Sequence, residues 1–250
     1  VSDTARAASQ RTGFAGYIVA QRATLLRLTL RHLLLVLVSL AAAIVVAVPL
    51  GVMLERLRGG AETAIRAAGL LQVVPSIALL AFMIPLLGIG VVPALAALFL
   101  YSVYPILRNT YTGVRDAQPD AVLAARALGM TPGQVLRLVR LPLAAPVIMA
   151  GVRTAAVIGV GTATLAAFIG AGGLGDPIVS GLALSDTRMI LSGAIPAALL
   201  ALAVDRATLA FRVEPSGVTW SRRVPRVVLS HAGVRRLDWG SVHDLEVVET

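Results

Sequence analysis

A long uncharged segment constrains the fold of this chain more than any other feature of its sequence. Residues 67–107 form a run of 41 positions without a single charge. As one helix the run would measure roughly 60 Å, because each residue adds about 1.5 Å, whereas the hydrocarbon core of a bilayer is about 30 Å thick. The segment is therefore long enough for two membrane crossings. The cluster Pro85, Gly88, Gly90 and Pro93 predicts the reversal between them.

The composition is also that of a membrane protein. Hydrophobic residues make up 57% of the chain and charged residues 14%, against about a quarter charged in soluble domains. Charge-free runs predict five spans: residues 32–54, two within 67–107, 154–175 and 189–204. The fourth span is expected to begin near Leu141, which places Arg153 in its first turns. A charge at the bilayer centre costs at least about 3 kcal/mol, so Arg153 is expected to snorkel to the interface or to line a wet cavity.

Small residues recur every four positions in two of these spans. They are Ser39, Ala43, Ala47 and Gly51 in the first span, and Ala155, Gly159 and Ala163 in the fourth. Small side chains let helix backbones approach closely in lipid. The stripes predict tight helix packing in an all-α polytopic membrane protein.

The arginines predict the orientation. Segments 54–69, 108–153 and 205–250 hold sixteen of them, whereas segment 171–188 holds only Arg188. The positive-inside rule places the first three segments in the cytoplasm. Five spans then put the N-terminus outside, although residues 1–31 carry five Arg. Either residues 14–31 form an amphipathic helix at the membrane interface, or the count of spans is off by one.

Three regions follow from this pattern. We predict an N-terminal interfacial segment at 1–31, a transmembrane domain at 32–212 that includes a cytoplasmic loop at 108–142, and a cytoplasmic tail at 213–250. The tail combines Pro and Gly with a basic cluster and an acidic end. We expect it to be poorly ordered and to lie near anionic lipid.

Several kinds of chemistry are excluded by residue types that the sequence lacks. It contains no Cys, which excludes disulfides and zinc thiolates. All 22 basic residues are Arg, so the chain has no Lys with which to build a standard P-loop. Carboxylates are missing from the interior of every predicted span, which argues against a proton-coupled carrier. We expect no catalytic residue, metal site or cofactor on this chain.

The Gly-rich segment 170–175 is interpreted as a flexible external turn that could serve as a gate, because glycine permits unusual backbone angles.

The cytoplasmic loop contains signals for two short helices. Pro119 is typical of a helix start, and Gly129 can end that helix in a left-handed conformation. Thr131 and Gln134 have the spacing of a capping box for the second helix. We expect the two helices to pack through their apolar residues, with Leu123, Ala127 and Leu128 facing Val135, Leu138 and Val139.

Three interpretations of this helix pair remain open. It could be a solvated loop, a helix-turn-helix DNA reader, or a docking element for a cytoplasmic protein. A DNA reader would be tethered within a few residues of the bilayer on both sides, so nucleic acid is not an expected partner.

The loop also carries a family resemblance. The residues that match are Ala124, Ala125, Gly129, Val139, Leu141 and Pro142. Their spacing resembles the Glu-Ala-Ala loop of ABC importer permeases, with Leu123 where that family usually has Glu. Segments 72–90, 104–114 and 161–178 resemble the permease subunits of glycine betaine, choline and carnitine-type osmoprotectant importers. The similarity covers roughly residues 30 to 212.

The resemblance implies a five-span permease core in the bacterial cytoplasmic membrane. It would pair with a second permease subunit, and its loop at 117–142 would seat on a separate ABC ATPase dimer that holds ATP and Mg²⁺. The six matching residues would form the ATPase-coupling site. An extracytoplasmic binding protein would deliver a compatible solute such as glycine betaine, choline, carnitine or a proline-like compound.

Polar and aromatic residues within the spans are candidates for the translocation pathway. They are Gln72, Ser76, Tyr101, Tyr104, Thr162 and Thr164. Tyrosine faces attract quaternary ammonium groups. Alternatively, the tyrosines form an interfacial belt and the other side chains satisfy helix backbones. Two other functions remain open for the whole chain, a membrane scaffold or receptor subunit that docks a cytoplasmic partner, and a secondary carrier.

Overall fold

A computed structural model describes residues 13–57 and 60–210, together with two short strands near the C-terminus. The chain divides into two compact units, Val1–Arg212 and Val213–Thr250. The first twelve residues of the predicted interfacial segment lie outside the described residues, as does the predicted tail apart from its strands.

The first unit is built from helices. In chain order they are α1 (Phe14–Arg56), α2 (Ala61–Val73), α3 (Ser76–Leu87), α4 (Val91–Arg115), α5 (Pro119–Ala127), α6 (Pro132–Val135), α7 (Leu141–Leu165), α8 (Gly175–Leu184) and α9 (Thr187–Ala210). A π-helical turn at Leu136–Arg140 joins α6 to α7, and a 3₁₀ turn at Ala166–Ile169 follows α7. The predicted all-α architecture is confirmed for this unit.

Four helical runs among the described residues are long and apolar enough to cross a membrane. They are Phe14–Arg56, Val91–Arg115, Pro132–Ile169 and Thr187–Thr208. The predicted fifth span is not confirmed, because α2 and α3 have only 13 and 12 residues. The break between them falls at Val74, whose ψ of 126° is extended. The ring of Pro75 disfavours a helical conformation at the residue before it and removes one backbone donor.

The reversal within the uncharged run is confirmed. Gly88 and Gly90, between α3 and α4, have φ angles of 81° and 115°, which side chains other than glycine rarely adopt. The Gly90 N–H donates a hydrogen bond of 2.8 Å to the carbonyl of Ile169. The turn is thereby tied to the end of the α7 run.

Helix α1 is continuous for 43 residues, a length of roughly 65 Å. Residues 14–31 are helical and run into the first predicted span without a break at residue 31. Their location at the membrane interface stays a prediction.

The core of the first unit lies where α1, α4 and α7 pack against each other. Both predicted stripes of small residues face it: Ser39, Ala43, Ala47 and Gly51 are buried in α1, and Ala155, Gly159 and Ala163 are buried in α7. Close approach is visible at Gly51, where an added Cβ would lie 2.8 Å from Cβ of Thr110 in α4. The prediction of tight helix packing is confirmed.

The second unit contains a small hairpin. Strands β1 (Val228–Ser230) and β2 (Gly233–Arg235) pair in antiparallel fashion, with Leu229 opposite Val234. The rest of the tail lies outside the described residues, so its predicted poor order stays a prediction.

Candidate coupling loop and transport pathway

Helix α5 is the first element of the loop predicted to be cytoplasmic, and it has the predicted boundaries to within one residue. Pro119 occupies its first turn. Gly129 adopts a φ of 79° just beyond its end. The N–H groups of Gly129 and Met130 donate to the carbonyls of Arg126 and Ala125, at 2.9 and 3.1 Å. This pair of bonds is a Schellman motif, so Gly129 sets the direction in which the chain leaves α5.

The predicted capping box of the second loop helix is present. The Thr131 N–H donates to Oε1 of Gln134 at 2.8 Å, and the Gln134 N–H donates to Oγ1 of Thr131 at 3.4 Å. The helix it starts, α6, is only one turn long and continues through the π-helical turn into α7. The Leu141 N–H donates to the carbonyl of Leu136, five residues back, which is the hydrogen bond of a π-helical turn. The next residue, Pro142, has no N–H to donate to the carbonyl of Leu138.

The predicted packing between the two loop helices is confirmed for Val135 and Val139, which face α5, but it is wrong for the buried face of α5 and for Leu138. Val122 and Ala125 form the buried face of α5 and cluster with Val135 and Val139. In contrast, Leu123, Leu128 and Leu138 are 62%, 76% and 49% exposed. Apolar residues surround most of α5, so its sequence pattern did not distinguish the buried face from the exposed one.

The exposed side of α5 is an apolar surface, formed by Leu123, Ala124, Ala127 and Leu128, and we call it the docking face. All four residues are exposed. Of the other residues proposed for coupling, Ala125 and Val139 are buried beneath this face, Leu141 and Pro142 are half-buried at the start of α7, and Gly129 is exposed. Of the six predicted coupling residues, Ala124 and Gly129 are therefore exposed to a partner, and the other four lie beneath or beside them.

An ion pair ties the loop to α1. The guanidinium of Arg140, at the end of the π-helical turn, donates to the carboxylate of Glu55 in the last turn of α1. Their side chains are only 21% and 16% exposed. A cavity of about 440 Å³ beside this pair is also lined by Arg56, Arg126 and Met130. A second pair nearby, between Arg115 and Glu62 at 2.9 Å, is roughly half exposed.

Two of the predicted pathway residues meet at the break between α2 and α3. The side-chain amide of Gln72 donates to the carbonyl of Tyr101 at 2.7 Å. The Tyr101 hydroxyl donates to the carbonyl of Val74, a backbone group at the interruption made by Pro75. The Gln72 contact fits the alternative considered from the sequence, in which polar side chains satisfy helix backbones. Tyr101 also satisfies a backbone group, a role that the alternative did not give to the tyrosines.

The other four pathway candidates have contacts of their own. Tyr104 packs against Gly69, where an added Cβ would lie 3.0 Å from its ring. Thr162 is 8% exposed, and the half-buried Thr164 donates to the carbonyl of Gly161 at 2.7 Å. Ser76 begins α3 and is half-buried. A transport role for the six residues stays a prediction.

Sequence reasoning missed a second cluster, at the end of the unit away from the coupling loop. His32 in α1 is fully buried, and its Nε2 lies 3.1 Å from the carbonyl of Val160. The Leu174 N–H donates to Nδ1 of His32 at 3.4 Å. Both bonds form together when Nε2 carries the proton and donates it, so this arrangement fits the neutral imidazole. The neighbouring Arg31 donates from Nε to the carbonyl of Ala171 at 2.8 Å.

This cluster changes the interpretation of the Gly-rich segment 170–175. Residues 171–175 are buried. A Cβ at Gly172 would lie 2.9 Å from Nε of Arg31, and one at Gly173 would lie 3.2 Å from Nδ1 of His32. The glycines here permit close approach to α1 and positive φ angles. We call the segment 170–175 the outer loop, because the predicted orientation places it outside the cytoplasm.

A carboxylate follows the outer loop directly. Burial raises the pKa of the Asp176 carboxyl, and the positive charge of Arg31 opposes that rise. Asp176 also lines a cavity of about 260 Å³ together with Tyr17 and Arg27. Among residues 13–57 and 60–210, no group of three or more His, Asp or Glu lies close enough together to hold a metal ion.

Arg153 has a partner that the sequence analysis did not anticipate. Its Nε and Nη2 donate to the two carboxylate oxygens of Asp205 in α9, at 2.6 and 2.8 Å. Bidentate pairing of this kind offsets much of the cost of removing the charge from water. The pair lines a cavity of about 340 Å³. Whether Arg153 snorkels or lines a wet cavity stays a prediction, and Asp205 was missed because it lies one residue beyond the last charge-free run.

Comparisons with known proteins agree with this architecture. Residues 47–212 match the family described as "Binding-protein-dependent transport system inner membrane component". The chain is 52% identical to the choline transport system permease protein OpuBB of Bacillus subtilis over 181 residues. This aligned region covers 72% of this chain and 83% of that protein. It is 42% identical to the osmoprotectant import permease protein OsmW of Salmonella typhimurium, over 88% of this chain and 98% of that protein.

A third relative and a solved structure extend the comparison. The chain is 47% identical to the glycine betaine/carnitine/choline transport system permease protein OpuCB of Bacillus subtilis, over 80% of this chain and 93% of that protein. The fold is similar to an inward-facing structure of the MetNI methionine ABC transporter, with a TM-score of 0.65 and 26% identity over 76% of this chain and 97% of that one.

Proposed function

Because the chain belongs to the family of binding-protein-dependent transport system inner membrane components, we propose that it is the membrane-spanning subunit of an ATP-driven importer for a small osmoprotectant. The observation that carries this proposal is the docking face, an apolar surface on a short loop helix whose opposite face is buried against Val135 and Val139. Such a surface suits a partner protein better than solvent. The subunit itself performs no ATP hydrolysis.

The partners follow from the family and from the docking face. A separate ABC ATPase dimer, which holds ATP and Mg²⁺, binds the loop at 117–142. A second permease subunit completes the membrane part, and an extracytoplasmic binding protein delivers the solute. The chain crosses the bacterial cytoplasmic membrane several times, with the docking face inside.

The cargo that we propose is a compatible solute with a quaternary ammonium group. The relatives at 42–52% identity are named for the transport of choline, glycine betaine and carnitine, or of osmoprotectants. The three named solutes share a trimethylammonium group, so one translocation pathway can serve all of them.

Reconstitution tests both the activity and the cargo. The permease, its ATPase and its binding protein are placed in proteoliposomes, and uptake of radiolabelled choline, glycine betaine and carnitine is measured with and without ATP. We expect ATP-dependent accumulation of at least one of the three, and none of methionine, the control solute. Accumulation of methionine would contradict the cargo, and a lack of any ATP-dependent uptake would contradict the importer function.

The docking face can be tested separately. Replacing both leucines, Leu123→Ala with Leu128→Ala, removes two large exposed side chains whose burial against a partner is each worth about 1.5–3 kcal/mol. We therefore expect roughly tenfold or greater loss of affinity for the ATPase, measured by titration of the purified subunits.

The matched control for this experiment is Leu138→Ala. Leu138 is also an exposed leucine of the loop, at 49%, but it lies on the π-helical turn outside the docking face. Equal losses of affinity in the control and in the double variant would argue against the docking face.

A further inference from the structure

Helix α1 contacts functional elements at both of its membrane ends. Glu55 lies in its last turn, next to the coupling loop, and Arg31 and His32 lie against the outer loop. The helix is continuous between them. These positions are separated by roughly 35 Å along the helix axis, because each residue adds about 1.5 Å. One helix therefore spans the distance from the coupling loop to the outer loop.

The cytoplasmic contact places a charge pair next to the support of the docking face. Val135 and Val139 hold α5 from beneath, and Arg140 is the residue that follows Val139. The Arg140 side chain reaches Glu55 in a partly buried position. A displacement of α5 that moves Val139 also moves Arg140, and a partly buried pair resists separation because its charges would lose their compensation. Glu55 is then displaced together with Arg140, and the end of α1 moves with it.

The turn that carries Arg140 differs from a regular helix. Residues Leu136–Arg140 form a π-helical turn, a feature that is uncommon and often found at functional sites. Leu136 within it packs with Val114 and Ala144, and Val52 of α1 contacts the same cluster. The loop therefore contacts α1 through apolar packing as well as through the ion pair, and both contacts originate in this turn.

The outer contact is equally well defined. Both ring nitrogens of His32 are used, toward Val160 and toward Leu174. The outer loop also packs against α9, since a Cβ at Gly193 would lie 2.5 Å from the carbonyl of Leu174. A shift of α1 relative to α7 and α9 would break the contacts of Arg31 and His32 with the outer loop.

We propose that the Glu55–Arg140 pair is the joint that passes movement of the ATPase-bound loop to α1, which carries it across the membrane to the outer loop. This inference rests on the proposed function. Glu55 and Arg140 are positioning residues: they contact neither solute nor nucleotide, and they act on transport through α1. Their loss should uncouple ATP hydrolysis from import, because the loop can still bind the ATPase.

The experiment measures solute imported per ATP hydrolysed in proteoliposomes that contain the complete transporter. The variants are Glu55→Gln, Arg140→Gln and the exchange Glu55→Arg with Arg140→Glu. We expect each single variant to lower the ratio at least about fivefold while ATP hydrolysis continues, and the exchange to restore about half or more of it, as for an interaction shared by two residues. The control, Glu62→Gln, breaks the more exposed pair with Arg115 and should keep the wild-type ratio.

The outcomes separate this inference from the proposed function. A wild-type transporter that imports nothing overturns the proposed function and the joint with it. A wild-type transporter that imports, together with single variants that keep its ratio, overturns only the joint. Single variants that lose import and hydrolysis in parallel, with no rescue by the exchange, show a purely structural pair and also overturn it.

Discussion

Replacing Gly129 with valine is expected to abolish solute import while the protein still inserts into the membrane. Gly129 has a φ of 79°, a conformation in which a β-branched residue is strained by about 1–3 kcal/mol. No heavy atom lies within 4 Å of an added Cβ, so the effect comes from the backbone angle alone. The Schellman bonds at the end of α5 would be lost, and the docking face would turn away from the ATPase.

The matched control at this position is Gly129→Asn, because asparagine tolerates the left-handed conformation better than other residues with side chains. Uptake in proteoliposomes and membrane insertion, measured by extraction in detergent, are compared for both variants. We expect Gly129→Asn to retain most of the uptake that Gly129→Val loses. Wild-type uptake in the valine variant would show that the geometry of this turn is unimportant for coupling.

The second large effect is expected at Gly151, where α7 packs tightly against α4. An added Cβ would lie 2.7 Å from the carbonyl oxygen of Pro105 and 2.7 Å from Cβ of Asn109. Neither contact involves the end of a flexible side chain, so Gly151→Ala must push the two helices apart. Overpacking of this kind typically costs about 1–3 kcal/mol, and we expect a lower temperature of unfolding for the purified subunit in detergent.

Helix α7 also supplies the control for this prediction. Gly161→Ala places the same methyl group in the same helix, but no heavy atom lies within 4 Å of it. Its unfolding temperature should match or exceed that of the wild type, since glycine is a poor helix former. If the two alanine variants unfold at the same temperature, close packing at Gly151 does not limit stability.

Local signals in the sequence predicted the parts of the fold that depend on nearby residues. The end of α3 at Gly88, the end of α5 at Gly129 and the capping box at Thr131 all involve hydrogen-bond partners within a few positions. The break at Val74 was missed although Pro75 was visible, because an apolar run gives no sign of whether a proline bends a helix or ends it.

Contacts between distant residues explain what could not be predicted. The partners of His32 lie 128 and 142 positions further along the chain, so its sequence neighbours showed only a histidine at the edge of a span. Arg153 and Asp205 are 52 positions apart. For α5, the exposure of Leu123 instead of Val122 depends on how α6 and the π-helical turn are placed. A sequence pattern in which both faces are apolar does not contain that information.

The length of α1 has a consequence for how the subunit is held in the bilayer. A helix of 43 residues tilted by about 40°, the upper end of the usual range, still spans roughly 50 Å along the bilayer normal, against a hydrocarbon thickness of about 30 Å. Some of its turns must therefore stand in the headgroup region or in water. Arg22 and Arg27 lie in the N-terminal turns, and Arg56 ends the helix. Charges near both ends oppose axial sliding, so α1 can tilt or bend but keeps its depth in the membrane.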